Sequence, residues 1–455
     1  MKRRTFIKQG LAAGAIAFPT IIPGRVLARN GNEGANDRIT LGMIGTGIMG
    51  SVHVHNFSNH CNIAAISDAY LPHAERSAKW LRENDRIPAG AKVDVHQDYR
   101  HILERDDIDA VVIASPQHWH ALHVVHAAQA GKHIYCEKPL TYSIWEGRQL
   151  VKAVEKYNVV LQTGSQQRSG QISHDGITHV RNGTLGKITE VHGHNYAGPQ
   201  NIDWPAMDIP EGLDWDLWCG PAEKPPYNHA IRSNARNVAP CWSGVKPFSG
   251  GDVTDWGTHG IDMIQWALGA DHGGPEEIWV EGDPYQEWIS TPENPGGRRG
   301  GPKSPIVHMR YPGDIHLILD GGPNGGGNFI GENGTIHITR GRFRSDPREL
   351  AGEPIENPVD EIHRGREYAR RNSHSQDWLN CIRDGGKPVA HAEAGHRTAS
   401  VCHLMNIARW VSGITGETGR KLKWDAAAER FTNSDEANQF VRPPMRQGYQ
   451  IPEEV

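Results

Sequence analysis

The chain has 455 residues, more than a single hydrophobic core usually serves, so we expect two domains. Hydrophobic residues make up 37% and charged residues 22%, a balance typical of a globular enzyme. The formal net charge of -5 excludes the strongly basic surface that nucleic acids or acidic membranes require, so we expect neither as a partner.

The first residues have the pattern of an export signal. Arg3 and Arg4 precede a mostly apolar run over residues 11–22, and Ala28 supplies a small residue before a cleavage point. Adjacent arginines favour the twin-arginine route, and the run is too short to span a bilayer. We therefore predict a signal peptide over residues 1–28, a polar linker over residues 29–37, no transmembrane anchor, and a periplasmic or otherwise exported protein.

Residues 38–163 alternate between apolar strand patterns and helical patterns. The predicted strands cover residues 39–44, 62–67, 110–114, 133–136 and 159–163, and the predicted helices cover residues 47–57, 72–82, 118–130 and 142–154. Continuous apolar strands separated by helices predict a parallel sheet covered on both faces. We interpret this part of the chain as an α/β dinucleotide-binding domain of the Rossmann type.

The pattern changes near residue 164. A helix is predicted over residues 172–182 and a late helix over residues 393–411; strands are predicted over residues 188–196, 278–282, 306–310, 315–319 and 335–339. This order predicts an α+β substrate domain over residues 164–431 with a mixed or antiparallel sheet. The glycines between Gly321 and Gly334 lack the Lys-Ser/Thr of a phosphate loop and are interpreted as turns. The polar tail over residues 432–455 is expected to wrap another subunit or to lie loose.

The six cysteines include no C-x-x-C pair. A disulfide between Cys219 and Cys241 and a set of unpaired core thiols are both compatible with the sequence.

A glycine-rich turn follows the first predicted strand and opens a helix. It consists of Gly45, Thr46, Gly47, Ile48, Met49 and Gly50. Such glycines let the turn and the helix N-terminus approach a pyrophosphate, although a purely structural turn is the alternative. Asp68, at the end of the second strand, can accept hydrogen bonds from both adenosine ribose hydroxyls and would repel a 2′-phosphate. NAD is therefore predicted as the cofactor in preference to NADP.

Further polar side chains follow the next two core strands. They are Ser115, Pro116, His118 and His120 after one strand, and Glu137 and Lys138 after the next. Because the carboxyl ends of parallel strands line a ligand crevice, we expect them to flank the nicotinamide half of the cofactor. Lys138 could there bind a substrate hydroxyl and lower its pKa by charge. The alternatives are surface histidines at a helix start and a solvated Glu-Lys-Pro turn.

Asp255 and His259 are four residues apart, so they lie on one face if this segment is helical. They can share a substrate, with His259 as general base, because imidazole ordinarily titrates near neutral pH. Zinc binding is the competing interpretation, but no H-E-x-x-H or comparable ligand set is present, so no metal is predicted. His192, His194 and Tyr196 share one face of a predicted strand, directed either to the cleft or to an exposed sheet face.

Taken in order, GTGIMG, Asp68, SPQHWHA, EKPL and GGDVTDWGTHGID resemble the Gfo/Idh/MocA family of glucose–fructose oxidoreductase, inositol dehydrogenase and MocA. The resemblance extends over roughly residues 38–411. It implies a Rossmann domain followed by a domain with an open-faced sheet. It also implies that His259 exchanges the hydroxyl proton, Lys138 orients and polarises the oxygen, and Asp255 positions the substrate. Arg168 resembles a position with a substrate-facing polar residue.

We therefore expect an NAD-dependent oxidoreductase that transfers a hydride between the nicotinamide and a secondary hydroxyl or ketone of a sugar, glycoside or polyol. Arg168, Tyr196 and Trp256 are the expected substrate contacts. NAD is expected to stay tightly bound, and the chain to form a homo-oligomer through the sheet of its second domain.

Two other functions remain open. One family branch uses NAD to cleave glycosidic bonds by transient oxidation and elimination, and its members resemble this chain but lack the E-K-P lysine. The other is a binding protein with a silent Rossmann fold, against which the set of Lys138, Asp255 and His259 argues.

Overall fold

The computed structural model describes residues 38–87, 91–233, 239–297, 300–301, 304–352 and 373–455. The predicted signal peptide over residues 1–28 and the linker over residues 29–37 lie outside these ranges. Within the described ranges, every helix is too short or too polar to cross a membrane.

The first domain contains a six-stranded parallel sheet in the order β3-β2-β1-β4-β5-β6. Its strands are β1 (Thr40–Ile44), β2 (Asn62–Ser67), β3 (Asp94–His96), β4 (Ala110–Ile113), β5 (His133–Cys136) and β6 (Leu161–Thr163). Its helices are α1 (Ile48–Phe57), α2 (Leu71–Glu83), α3 (Arg100–Leu103), α4 (Gln117–Gln129) and α5 (Ile144–Lys156). The strand order reverses between β1 and β4, which opens a crevice at the carboxyl ends of these strands. The predicted parallel sheet is confirmed.

Local sequence explains how several of these elements begin and pack. All four residues of β4 are buried, as expected for an apolar strand covered on both faces. Helix α5 begins with a capping box, in which the Ser143 hydroxyl accepts a hydrogen bond from the Glu146 N–H while the Glu146 carboxylate accepts one from the Ser143 N–H. Burial raises the pKa of Glu146 to about 7.

The second domain contains a nine-stranded sheet in the order β15-β14-β13-β7-β12-β11-β9-β16-β17. The strands are β7 (Ile188–Gly193), β8 (Asn201–Ile202), β9 (Glu277–Glu281), β10 (Ile289–Ser290), β11 (Ile306–Tyr311), β12 (Ile315–Leu319), β13 (Gly327–Gly331), β14 (Gly334–Thr339), β15 (Arg342–Asp346), β16 (Leu422–Asp425) and β17 (Arg430–Phe431), of which β8 and β10 form a separate pair. Apart from the parallel β7–β12 pair, neighbours in the large sheet are antiparallel.

Helices cover one face of this large sheet. The helices that follow β6 are α6 (Gln171–Arg181), α7 (Trp215–Cys219), α8 (His229–Arg232), α9 (Asp252–Asp255), α10 (Gly257–Ala267), α11 (Ser373–Asp384), α12 (Ala392–Thr415) and α13 (Asp435–Asn438). Of these, α11 packs on the first domain through Trp378 and Leu379. Buried side chains of α6, α10 and α12 pack on one side of the strands, against Val191 and Leu317 among others. The opposite side presents half-buried polar residues such as Glu190 and His192. The predicted open-faced, mostly antiparallel sheet is thus confirmed.

Two predictions about the second domain are wrong. The glycines between Gly321 and Gly334 do not form turns alone, because β13 pairs with both β7 and β14. A Cβ on Gly326 would lie 1.9 Å from the carbonyl oxygen of Ile338, so the glycine allows a close approach of two backbones. The strand predicted to reach Tyr196 ends at Gly193, so Tyr196 does not share a strand face with His192.

The six cysteines are buried and lie outside disulfides, so the disulfide between Cys219 and Cys241 is not formed. The Cys241 Sγ lies 3.0 Å from the Ser243 Oγ.

The tail over residues 432–455 packs on both domains of its own chain: Ala437 is buried in the second domain's core, and the residues from about 445 onward pack on the first domain. Ile451 and Val455 are 3% and 7% exposed and belong to a hydrophobic cluster of that domain. The Arg442 guanidinium lies 4.0 Å from the centre of the Trp145 ring. The expectation of a loose tail is wrong, because apolar side chains late in the tail are buried against the first domain. Contact of the tail with another subunit stays a prediction.

Between β7 and α9 the chain forms a segment with a hydrophobic cluster of its own. We call residues 212–233 and 239–251 the bridging segment. Its core contains Leu213, Trp215, Trp218, Tyr227, Ile231, Val245 and Phe248. The aromatic rings stack on one another, for example Trp215 and Trp218 with ring centres 4.8 Å apart. The segment therefore packs as a unit over the carboxyl edge of the first domain's sheet.

Candidate active site

A cavity of about 520 Å³ lies at the carboxyl ends of β1, β2, β4 and β5, with the bridging segment on its other side. Eleven of the residues predicted from sequence line it: Gly45, Gly47, Ile48, Met49, Asp68, Ser115, Pro116, His120, Glu137, Lys138 and Asp255. The structure thus brings the glycine turn, the acidic end of β2 and the Glu-Lys-Pro turn into one space.

The glycine turn fits a dinucleotide. Gly45 has a φ of +80°, and a Cβ on Gly50 would lie 2.0 Å from the Gly45 carbonyl oxygen, so both positions require glycine. A Cβ on Gly47 would meet nothing within 4 Å, which leaves the N-terminus of the ten-residue α1 accessible. Ile48 and Met49 are 57% and 42% exposed in the cavity wall, an apolar surface suited to a bound ligand.

Asp68 lies at the end of β2 and holds the glycine turn. Its Oδ2 accepts a hydrogen bond of 2.7 Å from the Thr46 N–H, and its Oδ1 accepts one of 2.9 Å from the Tyr70 N–H. The His73 Nδ1 lies 3.5 Å from the Asp68 Oδ2. The Thr46 hydroxyl also lies 3.4 Å from the Oδ2, so the Oδ2 is crowded, whereas the Oδ1 keeps an acceptor site for a ribose hydroxyl beside the Tyr70 N–H.

We expect Asp68→Ala to weaken NAD binding by about 1–3 kcal/mol. We also expect the difference between the affinities for NAD and NADP to become smaller. The substitution removes acceptors for the ribose hydroxyls, support for the turn at Thr46, and the charge that repels a 2′-phosphate. Titration of the protein with NAD and with NADP measures both effects. Asp107→Ala, at a carboxylate 63% exposed, is the control. Unchanged NAD affinity in Asp68→Ala would place Asp68 away from the ribose.

His120 connects the two loops that follow β4 and β5. Its Nδ1 lies 2.6 Å from the Pro139 carbonyl oxygen, and its Nε2 lies 2.8 Å from the Ser115 carbonyl oxygen. The ring is 1% exposed, and burial lowers its pKa. His120 therefore fixes the position of Ser115 and Lys138 relative to each other.

His118 does not line the cavity, in contrast to the prediction that it flanks the nicotinamide. It is 2% exposed, and its Nε2 lies 3.0 Å from the Trp218 carbonyl oxygen in the bridging segment. Burial lowers the pKa of His118 to about 4, so the ring is neutral near pH 7. Its position on the first turn of α4 allows the bridging segment to cover it.

Lys138 and Asp255 meet across the two domains. The Lys138 Nζ donates a hydrogen bond of 2.7 Å to the Asp255 Oδ1 and one of 3.1 Å to the Asp255 carbonyl oxygen. Their side chains are 15% and 18% exposed, so the pair is partly desolvated yet reachable from the cavity. A cation and a carboxylate in this position can bind and polarise a hydroxyl group.

Glu137 is a buried carboxylate next to Lys138 in the turn after β5. Its Oε1 lies 2.8 Å from the His53 Nε2, and its Oε2 accepts a hydrogen bond from the Lys138 N–H. Burial alone would raise the pKa of Glu137, but the hydrogen bond and charge of His53, together with the Lys138 charge, lower it. The carboxylate thus stays ionised beneath the turn that carries Lys138.

His259 lies in the first turn of α10 and is 6% exposed. It does not line the cavity, and its ring centre lies 5.7 Å from that of Trp256. Trp256, which also does not line the cavity, has the Arg340 guanidinium 5.5 Å from its ring centre. In the described ranges no group of three or more His, Cys, Asp or Glu side chains is placed to hold a metal ion.

The predicted substrate contacts Arg168 and Tyr196 are structural residues. Arg168 is 1% exposed, and its guanidinium lies 2.8 Å from the Asp262 Oδ1 and 2.7 Å from the Asp271 Oδ2. Tyr196 is also 1% exposed, and its hydroxyl donates to the Asn324 Oδ1 over 3.0 Å. These predictions are wrong because both polar groups are satisfied inside the second domain, away from the cavity wall.

We expect Arg168→Met to lower the free energy of unfolding by about 3–5 kcal/mol, because it leaves two buried carboxylates without their partner. Denaturant unfolding followed by fluorescence measures this loss. Arg100→Met, at an exposed surface pair with Asp98, is the control and should cost less than about 1 kcal/mol. Unchanged stability together with a raised KM would restore a substrate-facing role for Arg168.

The bridging segment supplies cavity residues that the sequence did not indicate. They are Leu217, Trp218, Arg232, Ser233 and Trp242. Gln117 was also missed: its amide donates to the Ser249 Oγ over 2.8 Å and accepts from the Thr254 Oγ1 over 2.8 Å. The closely spaced tryptophans of this region indicated in the sequence that it packs on something. They did not indicate that it packs over the cofactor cavity.

Two sequence models of one family match the chain. The model described as the NAD-binding Rossmann fold of an oxidoreductase family matches residues 39–165. The model of the same family's C-terminal alpha/beta domain matches residues 184–451.

Curated relatives match parts of the chain. The oxidoreductase YrbE of Bacillus subtilis is 37% identical over 174 residues, which cover 37% of this chain and 47% of YrbE. Myo-inositol 2-dehydrogenase of Thermotoga maritima is 24% identical over 283 residues, 62% of this chain and 67% of the relative. A glycosyl hydrolase family 109 protein of Shewanella sp. is 27% identical over 209 residues, 42% of this chain and 44% of the relative. The chain thus spans about half the length of two of these three relatives.

Solved structures share the fold. Levoglucosan dehydrogenase, in complex with NADH and levoglucosan, has a TM-score of 0.55 at 19% identity over 85% of this chain and 99% of that chain. Aldose-aldose oxidoreductase from Caulobacter crescentus, complexed with glycerol, has a TM-score of 0.55 at 17% identity over the same shares.

Proposed function

This chain belongs to the Gfo/Idh/MocA oxidoreductase family, and on that premise we propose that it transfers a hydride between NAD and a sugar, glycoside or polyol. The reacting group is a secondary hydroxyl or the corresponding ketone. The observation that carries the proposal is the Lys138–Asp255 pair, which lies in the wall of the same cavity as the glycine turn. The relative from Thermotoga maritima is a myo-inositol 2-dehydrogenase, which supports this substrate class.

The residues of the cavity fit the cofactor. The N–H groups at the start of α1 would hold the pyrophosphate, and Asp68 would hold the adenosine ribose. Ser115 and Pro116 lie at the end of β4, beyond the reversal of strand order, where the nicotinamide half would reach. When bound, NAD supplies the acceptor or donor of the hydride.

The chain's own residues handle the hydroxyl group and its proton. Lys138 binds the oxygen and stabilises the negative charge that develops as the proton leaves. Asp255 holds the Lys138 ammonium in place and contacts the substrate. His259, four residues beyond Asp255 and outside the cavity wall, is the proposed proton acceptor.

A substrate panel tests this function. The protein with NAD is mixed with sugars, glycosides and polyols, and with the matching ketones plus NADH, while NADH absorbance is followed. We expect at least one compound to change the absorbance and Lys138→Met to abolish most of that change. Saturable binding of sugars without any redox reaction in either direction would identify a binding protein instead.

The match to glycosyl hydrolase family 109 proteins favours one second candidate, an NAD-dependent glycosidase acting by transient oxidation and elimination. Nitrophenyl glycosides separate the two functions. The glycosidase would release nitrophenol without net accumulation of NADH, whereas the dehydrogenase would accumulate NADH and leave the glycosidic bond intact.

We predict that NAD stays bound during purification. Arg3, Arg4 and the apolar run after them support our proposal of export by the twin-arginine route, which carries folded proteins to a compartment poor in free NAD. A retained cofactor would be recycled by alternate oxidation and reduction of two substrates. Denaturing the purified protein and finding no nicotinamide nucleotide would contradict the prediction.

We also propose a homo-oligomer formed through the large sheet of the second domain. The support is its open face, which helices leave uncovered. Light scattering of the wild-type protein and of a variant with Glu190→Lys on that face measures the subunit count.

A further inference from the structure

The bridging segment is attached to the first domain on the adenosine side of the crevice. The Leu71 N–H donates to the Gly212 carbonyl oxygen over 2.9 Å, and the Asp214 N–H donates to the Ala69 carbonyl oxygen over 3.0 Å. The Gln97 amide adds a hydrogen bond of 3.0 Å to the same Gly212 oxygen. The contacts of Ala69 and Leu71 lie directly after β2, which ends one residue before Asp68, and Gln97 directly follows β3.

The same segment is attached on the nicotinamide side as well. The Trp119 indole N–H donates to the Leu217 carbonyl oxygen over 3.0 Å, and the Gln117 amide donates to the Ser249 hydroxyl over 2.8 Å. Both donors belong to the first turn of α4, which follows β4. The segment therefore crosses the crevice from the end of β2 to the end of β4.

Arg232 is a cation of the bridging segment that lines the cavity. Its guanidinium carbon lies 4.6 Å from the centre of the Tyr70 ring. Within the described ranges its Nε is buried without a hydrogen-bond partner, and no carboxylate there forms an ion pair with it. A buried donor of this kind costs free energy unless a ligand satisfies it.

The position of Arg232 indicates whether it faces the ADP half of the cofactor or the end where the substrate reacts. Tyr70 is two residues beyond Asp68, on the ribose side of the sheet, whereas Lys138 follows β5 on the other side of the strand reversal. The reacting carbon of the substrate must lie near Lys138. An anionic group near Arg232 therefore belongs to the cofactor, whose ADP half carries the diphosphate.

We propose that Arg232 binds the diphosphate of NAD from the second domain, so that the bridging segment holds the cofactor in the crevice. The inference rests on the proposed use of NAD and extends it to a residue outside the Rossmann domain. Charge-assisted hydrogen bonds from a guanidinium suit phosphate oxygens, and the Tyr70 ring keeps the guanidinium oriented. Release of NAD then requires either the loss of this contact or the detachment of the segment.

Titration of cofactor-free protein with NAD, ADP and adenosine tests the proposal. We expect Arg232→Met to weaken NAD and ADP binding roughly 10–100-fold, and adenosine binding less than about twofold, because adenosine lacks the diphosphate. Arg232→Lys should restore part of the ADP affinity. Lys224→Met, on the same segment but outside the cavity, is the matched control. Thermal unfolding of each variant checks that the fold is retained.

Four outcomes are distinguishable. Equal losses for ADP and adenosine would assign Arg232 a structural role, and unchanged ADP affinity would place it away from the diphosphate; either result overturns the inference. Wild-type protein that binds ADP but oxidises no sugar would defeat the proposed function and leave the role of Arg232 intact. Absence of ADP and NAD binding in the wild type would overturn both.

Discussion

Replacing Lys138 with methionine is expected to lower turnover roughly 10²–10³-fold while leaving NAD affinity nearly unchanged. Methionine keeps much of the side-chain volume but removes the ammonium that lies 2.7 Å from the Asp255 Oδ1 in the cavity wall. Without it, the charge that develops on the substrate oxygen loses its stabilising cation. Single-turnover reduction of NAD with the best substrate of the panel measures the effect.

Two further variants test whether the loss of rate comes from the charge and position of the Lys138 ammonium. Lys138→Arg keeps the charge but changes the geometry, so it should recover only part of the rate. Lys423→Met, on β16 and outside the cavity, should react at the parent rate. If Lys138→Met also reacted at the parent rate, the Lys138–Asp255 pair would be an ordinary interdomain ion pair.

His259→Ala is expected to lower turnover roughly 10²–10⁴-fold, the usual contribution of a positioned general base. NAD affinity should change little, since His259 lies on α10 of the second domain. The same single-turnover measurement applies, and the pH profile of the variant should lose the ionisation that belongs to the base. His101→Ala, at an imidazole 58% exposed on the first domain, is the control.

The combined variant decides whether both residues act on one oxygen. If they do, the losses in Lys138→Met and His259→Ala are less than additive. A parent rate in His259→Ala would show that the general base is another group, with the Lys138–Asp255 pair as the next candidate. Lys138 lines the cavity and His259 does not, so the His259→Ala variant tests the part of the proposed mechanism that the cavity geometry does not itself indicate.

The first domain could be predicted from sequence because its strands are continuous apolar runs. The predictions for β2 and β5 agree with the structure to the residue. In contrast, β3 was missed because its three residues alternate polar and apolar side chains at the edge of the sheet. The strand β13 was missed because its glycines have no side chains that would give a periodic pattern.

Site residues that follow the ends of parallel strands could be predicted from the sequence. Site residues whose positions depend on contacts with residues far away in the chain could not. Asp68 and Lys138 follow strands of one parallel sheet, so their approach to a common cavity follows from topology. Arg168 could not be interpreted correctly, since its partners Asp262 and Asp271 are about a hundred residues away in sequence. The position of the bridging segment depends on equally distant hydrogen bonds, so Arg232 gave no local signal.

The packing of residues 445–455 on the first domain has a consequence for the order in which the protein is made. Ile451 and Val455 complete a core cluster of that domain, and Arg446 donates hydrogen bonds to Asp216 and to the Gly220 carbonyl oxygen in the bridging segment. The first domain is therefore unfinished on the ribosome while the rest of the chain is being synthesised. Its cofactor cavity is lined by residues as late in the chain as Asp255, so NAD can be captured only after the bridging segment and the start of the second domain have been made.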